Sequence, residues 1–113
     1  MNGRYRGRVL IRVLNPEVKA GGLKADAIKK ALKKRRKHLE QCYRAALGQN
    51  PTIGGTMMIA LHIKDGRVNV GSMAGIDPAV ASCARYQVQM LALPPSAPGE
   101  TTIAMVGVLF STD

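Results

Sequence analysis

The two cysteines, Cys42 and Cys83, are the residues of this chain whose type and spacing could do chemistry. They lack the Cys-x-x-Cys spacing of a redox motif, and two cysteines with two distant histidines do not supply a set of zinc ligands. A disulfide between them would close a loop of about 40 residues, which the chain-entropy model values at about 4 kcal/mol. Two buried free thiols are the alternative, because cysteine is often fully buried without a partner. The residues themselves leave both interpretations open.

Catalytic chemistry finds little support in the other polar residues. The seven acidic residues are scattered, and Asp65 belongs to a predicted turn while Asp77 belongs to a predicted helix cap. His62 falls on the outer face of a predicted strand, with no nucleophile identifiable beside it. No glycine-rich loop of the kind that holds phosphate is present. We therefore expect a protein that is not an enzyme and that uses no cofactor and no metal.

Positive charge is the strongest feature of the composition. The 113 residues carry a formal net charge of +10, and one predicted helix holds many of these charges on one side. We take this side as a candidate basic surface, formed by Lys30, Lys33, Lys34, Lys37 and Arg44. It would either bind an anionic partner or remain a solvated helix face. Nucleic acid is weakly supported as that partner, because three Tyr and one Phe are the only aromatic residues that could stack on bases.

Two predicted helices carry the cysteines. The first covers residues 22–48, where apolar residues recur at helical spacing and include Cys42. The second begins at Asp77-Pro78, because aspartate is a favoured N-cap and proline suits the first helical position. Its inner stripe contains Cys83. Two such helices on one face of a sheet could bring the two cysteine Cα atoms to the separation of about 5.5–6 Å that a disulfide needs.

Four strands are predicted from alternating apolar and polar residues, over residues 4–14, 53–63, 67–74 and 101–110. Asp65-Gly66 is the signature of a type I′ turn, which would place Ile63 opposite Val68. The predicted fold class is α+β, an antiparallel β-sheet with two helices packed on one face, in the order β-α-β-β-α-β. We divide the chain into an N-terminal strand and linker, residues 1–20, and a domain, residues 21–113.

Several of these motifs together resemble a known family. They are Gly22-Leu23, Cys42-Tyr43-Arg44-Ala45-Ala46-Leu47, the Asp65-Gly66 hairpin, Asp77-Pro78-Ala79-Val80 with Cys83, and Leu93-Pro94. Their joint spacing over residues 21–111 resembles the AgmX/PglI C-terminal domain, which belongs to the TonB C-terminal-like superfamily. Arg44 stands where that family usually has an acidic residue, and Leu93 stands where an aromatic residue usually precedes proline. These departures concern the partner more than the fold.

The resemblance implies a periplasmic adaptor domain without enzymatic activity. Its two cysteines would form a disulfide, which suits an oxidising compartment. It would bind an envelope or outer-membrane protein by β-strand addition. It would also transmit force or energy from a proton-driven motor of the inner membrane, in gliding motility or envelope transport. An N-terminal anchor outside this sequence would connect the domain to that motor.

The partner strand needs a free sheet edge, because unpaired backbone N–H and C=O groups are a template for another strand. We predict that this edge lies on the last strand, at Thr102, Ala104, Val106 and Val108. The N-terminal strand is the second candidate edge, and it would also allow a homodimer by strand exchange. The alternative function is a small basic module that binds nucleic acid or an anionic envelope polymer through the basic helix.

Overall fold

A computed structural model describes residues 5–94 and 97–112 of the chain. The fold is α+β, with an antiparallel sheet and helices packed against it, which confirms the predicted class. Its elements are β1 (Val9–Val13), β2 (Glu17–Ala20), α1 (Ala25–Lys34), α2 (Arg36–Gln49), β3 (Gly55–Lys64), β4 (Arg67–Ala74), α3 (Pro78–Gln89) and β5 (Thr101–Thr112). The order β-β-α-α-β-β-α-β therefore has one strand and one helix more than the predicted order.

The last strand, β5, is the centre of the sheet. The strand order is β1-β5-β3-β4, and β2 pairs with β5 beside β1. On one side β5 pairs with β3, from Gly55 opposite Phe110 to Lys64 opposite Thr101. On its other side β1 and β2 follow one another along β5. The predicted linker, which ends at residue 20, thus contains a short strand, and the N-terminal strand pairs within its own chain.

The long predicted helix is interrupted at Arg35. This residue has φ −96° and ψ 6°, and its N–H donates to the Leu32 carbonyl at 3.0 Å, three residues back instead of four. The interruption falls in the cationic run of residues 33–37. Like charges four residues apart, such as Lys33 and Lys37, destabilise a continuous helix. The buried Leu32 and Leu39 hold the two segments against the core on either side of the break.

The β3–β4 hairpin has the predicted turn and register. Asp65 and Gly66 both have positive φ, at 52° and 76°, as a type I′ turn requires. Ile63 lies opposite Val68, so the apolar residues of both strands share one face. The predicted cap of the following helix is also present, because Asp77 Oδ1 accepts a hydrogen bond from the Ala79 N–H at 2.8 Å.

The core lies on one face of the sheet only. Along β3, residues at alternate positions from Met57 to Ile63 are at most 2% exposed, and the helices cover them. On the opposite face Leu10, Met58 and Ile103 are 54%, 41% and 36% exposed. The sheet therefore has one covered face and one open face, the usual arrangement of an antiparallel sheet in a small domain.

Arg44 ties the N-terminal segment to α2. Its Nη1 donates to the carbonyls of Tyr5 and Gly7 at 2.9 and 2.6 Å, and its Nε donates to Glu40 at 3.0 Å. The Tyr5 N–H in turn donates to the Arg44 carbonyl at 3.2 Å. The chain just before β1 is thus held to α2 by the side chain and the backbone carbonyl of Arg44.

Replacing Arg44 with methionine is expected to loosen residues 5–8 and to lower the free energy of unfolding by about 1–2 kcal/mol, since hydrogen bonds from a charged donor are lost. Trypsin cleavage after Arg6 and Arg8 should become faster, and urea unfolding measures the stability. Lys30→Met is the matched control, because Lys30 is an exposed cation on the preceding helix α1 and its replacement should change stability by less than about 0.5 kcal/mol. Equal cleavage rates in both variants would contradict this role of Arg44.

Candidate functional site

The two cysteines form a disulfide between α2 and α3. Cys42 and Cys83 have their Cα atoms 5.6 Å apart. Cys42 is 3% exposed, whereas Cys83 lies near the surface. Of the two interpretations that the sequence left open, the disulfide is the one observed. Structural disulfides are typical of oxidising compartments.

A cleft of about 400 Å³ lies beside this disulfide, between the end of α2 and the start of α3. Two of its polar side chains already have partners within the chain. Asp77 caps α3, and Asn50 Oδ1 accepts from the backbone N–H and the hydroxyl of Thr52. Within the described residues, no group of three or more His, Cys, Asp or Glu could hold a metal ion.

The predicted partner edge on β5 is wrong. Thr102, Ala104, Val106 and Val108 are each at most 1% exposed, and β5 is paired along both of its sides. Thr102 Oγ1 even accepts a hydrogen bond from the Leu23 N–H at 3.3 Å, inside the core. A central strand has no free row of backbone groups, so no partner strand can be added to β5 without displacing β1 and β2.

The margins of the sheet are formed by β4 on one side and by β1 followed by β2 on the other. In a two-residue hairpin the backbone-bonded pairs alternate outwards from the turn. The N–H and C=O groups of Val68 and Val70 therefore face away from β3. Helix α3 packs against β4, and its Arg85 Nη1 donates to the Val70 carbonyl at 3.2 Å. The β4 margin is thus partly occupied by the chain itself.

The β1 margin has outward-facing backbone groups. The Leu14 N–H donates to the Gly107 carbonyl at 2.9 Å, immediately after the end of β1. Because bonded and non-bonded pairs alternate in an antiparallel ladder, Leu10 and Arg12 bond to β5 as well. The N–H and C=O groups of Val9, Ile11 and Val13 then face away from β5. Ile11 and Val13 still point their side chains into the core, where they are 5% and 6% exposed.

A groove of about 410 Å³, which we call the β1 groove, lies along this margin. One wall comes from β1 and the other from α1 and the start of α2. Its lining residues are Leu10, Ile11, Arg12, Val13, Lys29, Lys33 and Arg36. At this groove an outward-facing strand margin, a cavity and a cluster of cations coincide.

The predicted basic surface is divided among three places. Lys33 lines the β1 groove, while Lys30, Lys34 and Lys37 are exposed outside it. Arg44 does not belong to either set, because its guanidinium is bonded to Glu40 and to the N-terminal segment.

Sequence reasoning missed three residues of the groove, namely Arg12, Lys29 and Arg36. A signal for the last two was present. Lys29, Lys33 and Arg36 follow the i, i+4, i+7 spacing of one helical face, beside the apolar stripe and not opposite to it. Arg12 carried no such signal, since its position depends on the pairing of β1 with β5.

Comparison of the chain with models of protein families, with curated proteins and with solved structures finds no match. In the part of the chain that the structure describes, no helix has both the length and the apolar character to cross a membrane.

Proposed function

We propose that this chain is a non-enzymatic, periplasmic adaptor domain that resembles the AgmX/PglI and TonB C-terminal domains. It binds an envelope or outer-membrane protein by β-strand addition and transmits force from a proton-driven motor of the inner membrane. The observation that carries the proposal is the margin of β1, where the backbone groups of Val9, Ile11 and Val13 face away from β5 and the β1 groove lies beside Ile11 and Val13. Strand addition needs such a row of unpaired N–H and C=O groups.

The disulfide supports both the compartment and the mechanical role. A bond between Cys42 and Cys83 suits the oxidising periplasm, and it fastens α2 to α3 across the loop that contains β3 and β4. On the other side, Arg44 holds the segment before β1 to α2. A force applied through the N-terminal segment would therefore pass through Arg44 to α2 and through the disulfide to α3. The partner strand would lie on β1, next to the segment through which the force is applied.

The exposed lysines support a second candidate function. Lys30, Lys34 and Lys37 lie on the solvent side of the helices, where they form a cationic surface on a chain of net charge +10. Such a surface suits an anionic envelope polymer or nucleic acid. Binding through phosphate contacts weakens steeply as salt is added, with a slope close to the number of contacts. Strand addition depends on backbone hydrogen bonds and should respond far less to salt.

The proposal is tested by amide hydrogen exchange along β1. In the free domain, the amides of Leu10 and Arg12 should exchange slowly and those of Val9, Ile11 and Val13 rapidly, because only the first set bonds to β5. The partner is first captured from solubilised envelope with a photo-crosslinking residue at position 10, purified, and then added to the domain. Strand addition should slow the exchange of the rapid set by about tenfold or more, in an alternating pattern.

A crosslinker at position 86 is the matched control for the capture step. Tyr86 is 63% exposed on α3, far along the chain from β1. Adducts should form from position 10 and not from position 86. If the purified partner binds while Val9, Ile11 and Val13 still exchange rapidly, strand addition at β1 is wrong.

A further inference from the structure

The β1 groove is lined by cations that the domain does not neutralise. Arg12 comes from the strand, and Lys29, Lys33 and Arg36 come from the helices. No acidic residue lines the groove among the residues described. Lys29 Nζ donates to Asn15 Oδ1 at 2.6 Å, a neutral partner that leaves its charge in place. Across the same described residues, Arg12, Lys33 and Arg36 have neither an ion pair nor a hydrogen bond from their side chains.

We propose that the strand bound at β1 is an acidic peptide, with carboxylates at alternate positions that face Lys29, Lys33 and Arg36. The inference rests on the proposed function, because it assumes that the peptide lies extended along β1. Carboxylates are the protein groups that pair with lysine and arginine in charge-assisted hydrogen bonds. An uncompensated row of cations therefore selects for an acidic occupant and against a basic one.

The spacing of the cations on α1 agrees with the spacing of alternate side chains in an extended peptide. Alternate side chains of an extended strand lie about 6.7 Å apart on the same side. Lys29 and Lys33 are four residues apart on α1, which corresponds to a rise of about 6 Å along a helix. Two carboxylates at positions i and i+2 of the peptide can thus each meet a different cation. A third position would reach towards Arg36.

The intervening positions of the peptide meet a different surface. Since successive strand residues point to opposite faces, they would lie on the open face of the sheet. There Leu10 is 54% exposed, beside Arg12 on the same strand. An apolar side chain at these positions would cover Leu10. The recognised sequence is therefore an alternation of acidic and apolar residues.

Binding of synthetic peptides to the purified domain tests this inference. The first peptide alternates Glu with Val and Thr, the second has Gln at every Glu, and the third is the Glu peptide with methylated backbone nitrogens on alternate residues. We expect the Glu peptide to bind at least about tenfold more tightly than the Gln peptide. The double variant K33E/R36E should lose about tenfold or more in affinity for the Glu peptide.

The matched control is K30E/K37E, which changes the net charge by the same amount outside the groove. All four positions are exposed, so neither variant should disturb folding, and circular dichroism checks this. The affinity of the control variant for the Glu peptide should stay within about threefold of the wild-type affinity. Equal losses in the two variants, tighter binding of a single-stranded oligonucleotide than of the Glu peptide, or no binding of the Glu peptide would each overturn the proposal.

The methylated peptide separates this inference from the proposed function. Equal binding of the Glu and Gln peptides, abolished by methylation, would leave strand addition standing and remove the acidic preference. If the Glu peptide binds more tightly than the Gln peptide and the methylated Glu peptide binds equally tightly, the domain recognises acidic residues. That result would contradict strand addition and the extended peptide geometry argued above.

Discussion

Replacing Cys42 and Cys83 by alanine is expected to lower the free energy of unfolding by about 4 kcal/mol. The disulfide closes a loop with a sequence separation of 41, and the loss of loop-closure entropy in the unfolded chain scales with the logarithm of that length. For a domain of this size, the loss corresponds to a fall of about 15–20 °C in the melting temperature. Thermal and urea unfolding measure both quantities.

Reduction of the wild-type protein supplies the control for this experiment. The reduced protein should melt close to the C42A/C83A variant, and the variant should not respond to the reductant. Because the domain keeps a continuous core beneath α2 and α3, we expect it to remain folded at low temperature. A loss below about 1 kcal/mol would mean that the unfolded chain is not constrained by this bond, which contradicts the argument from entropy.

Local sequence signals predicted the parts of the fold that depend on local chemistry. The turn at Asp65-Gly66 could be predicted because two adjacent residues with positive φ demand these residue types. The start of α3 could be predicted because Asp77 and Pro78 satisfy the backbone of a first helical turn. Both signals act within four residues and do not depend on what packs against them.

The second strand could not be predicted because it has no apolar pattern. Glu17–Ala20 contains one half-buried residue, Val18, between exposed ones. Its strand conformation comes from backbone pairing with Met105 and Ala104 of β5. Backbone pairing with a neighbouring strand does not require buried side chains in the segment itself. Such a strand therefore has no apolar periodicity by which its sequence could predict it.

The predicted edge on β5 was wrong for a related reason, whereas the second candidate edge, the N-terminal strand, does lie at a margin of the sheet. The sequence of β5 places apolar residues on both faces of the strand, such as Ile103 and Leu109 on one face and Val106 and Phe110 on the other. In the structure Val106 and Phe110 face the core, and Leu109 lies on the open face. Sequence alternation reports which face of a strand is apolar, but it carries no information on which strands lie beside it.

Tyr43 joins α2 to the sheet and to the loop before β3, so its replacement by alanine should cost about 3–5 kcal/mol. Its side chain is 0% exposed, and its ring centroid lies 5.3 Å from that of Phe110 at the centre of the sheet. Its hydroxyl donates to the Ile53 carbonyl at 2.6 Å. Tyr43→Phe keeps the ring and loses only this hydrogen bond, so it should cost about 1 kcal/mol. Equal losses for the two variants would mean that the ring contributes little to stability.

The same hydroxyl gives the stability of the domain a dependence on alkaline pH. Burial raises the pKa of Tyr43, with a smaller contribution from Tyr5. Below about pH 10 both the folded and the unfolded chain keep this proton, so the group adds no pH dependence. Above about pH 10 the unfolded chain releases the proton while the folded chain retains it, and the free energy of unfolding should fall as the pH rises. Urea unfolding of wild type and Tyr43→Phe in the same alkaline buffers isolates this part of the fall, because the other titrating groups are common to both proteins. The difference between the two proteins should shrink as the pH increases, and a constant difference would contradict the raised pKa.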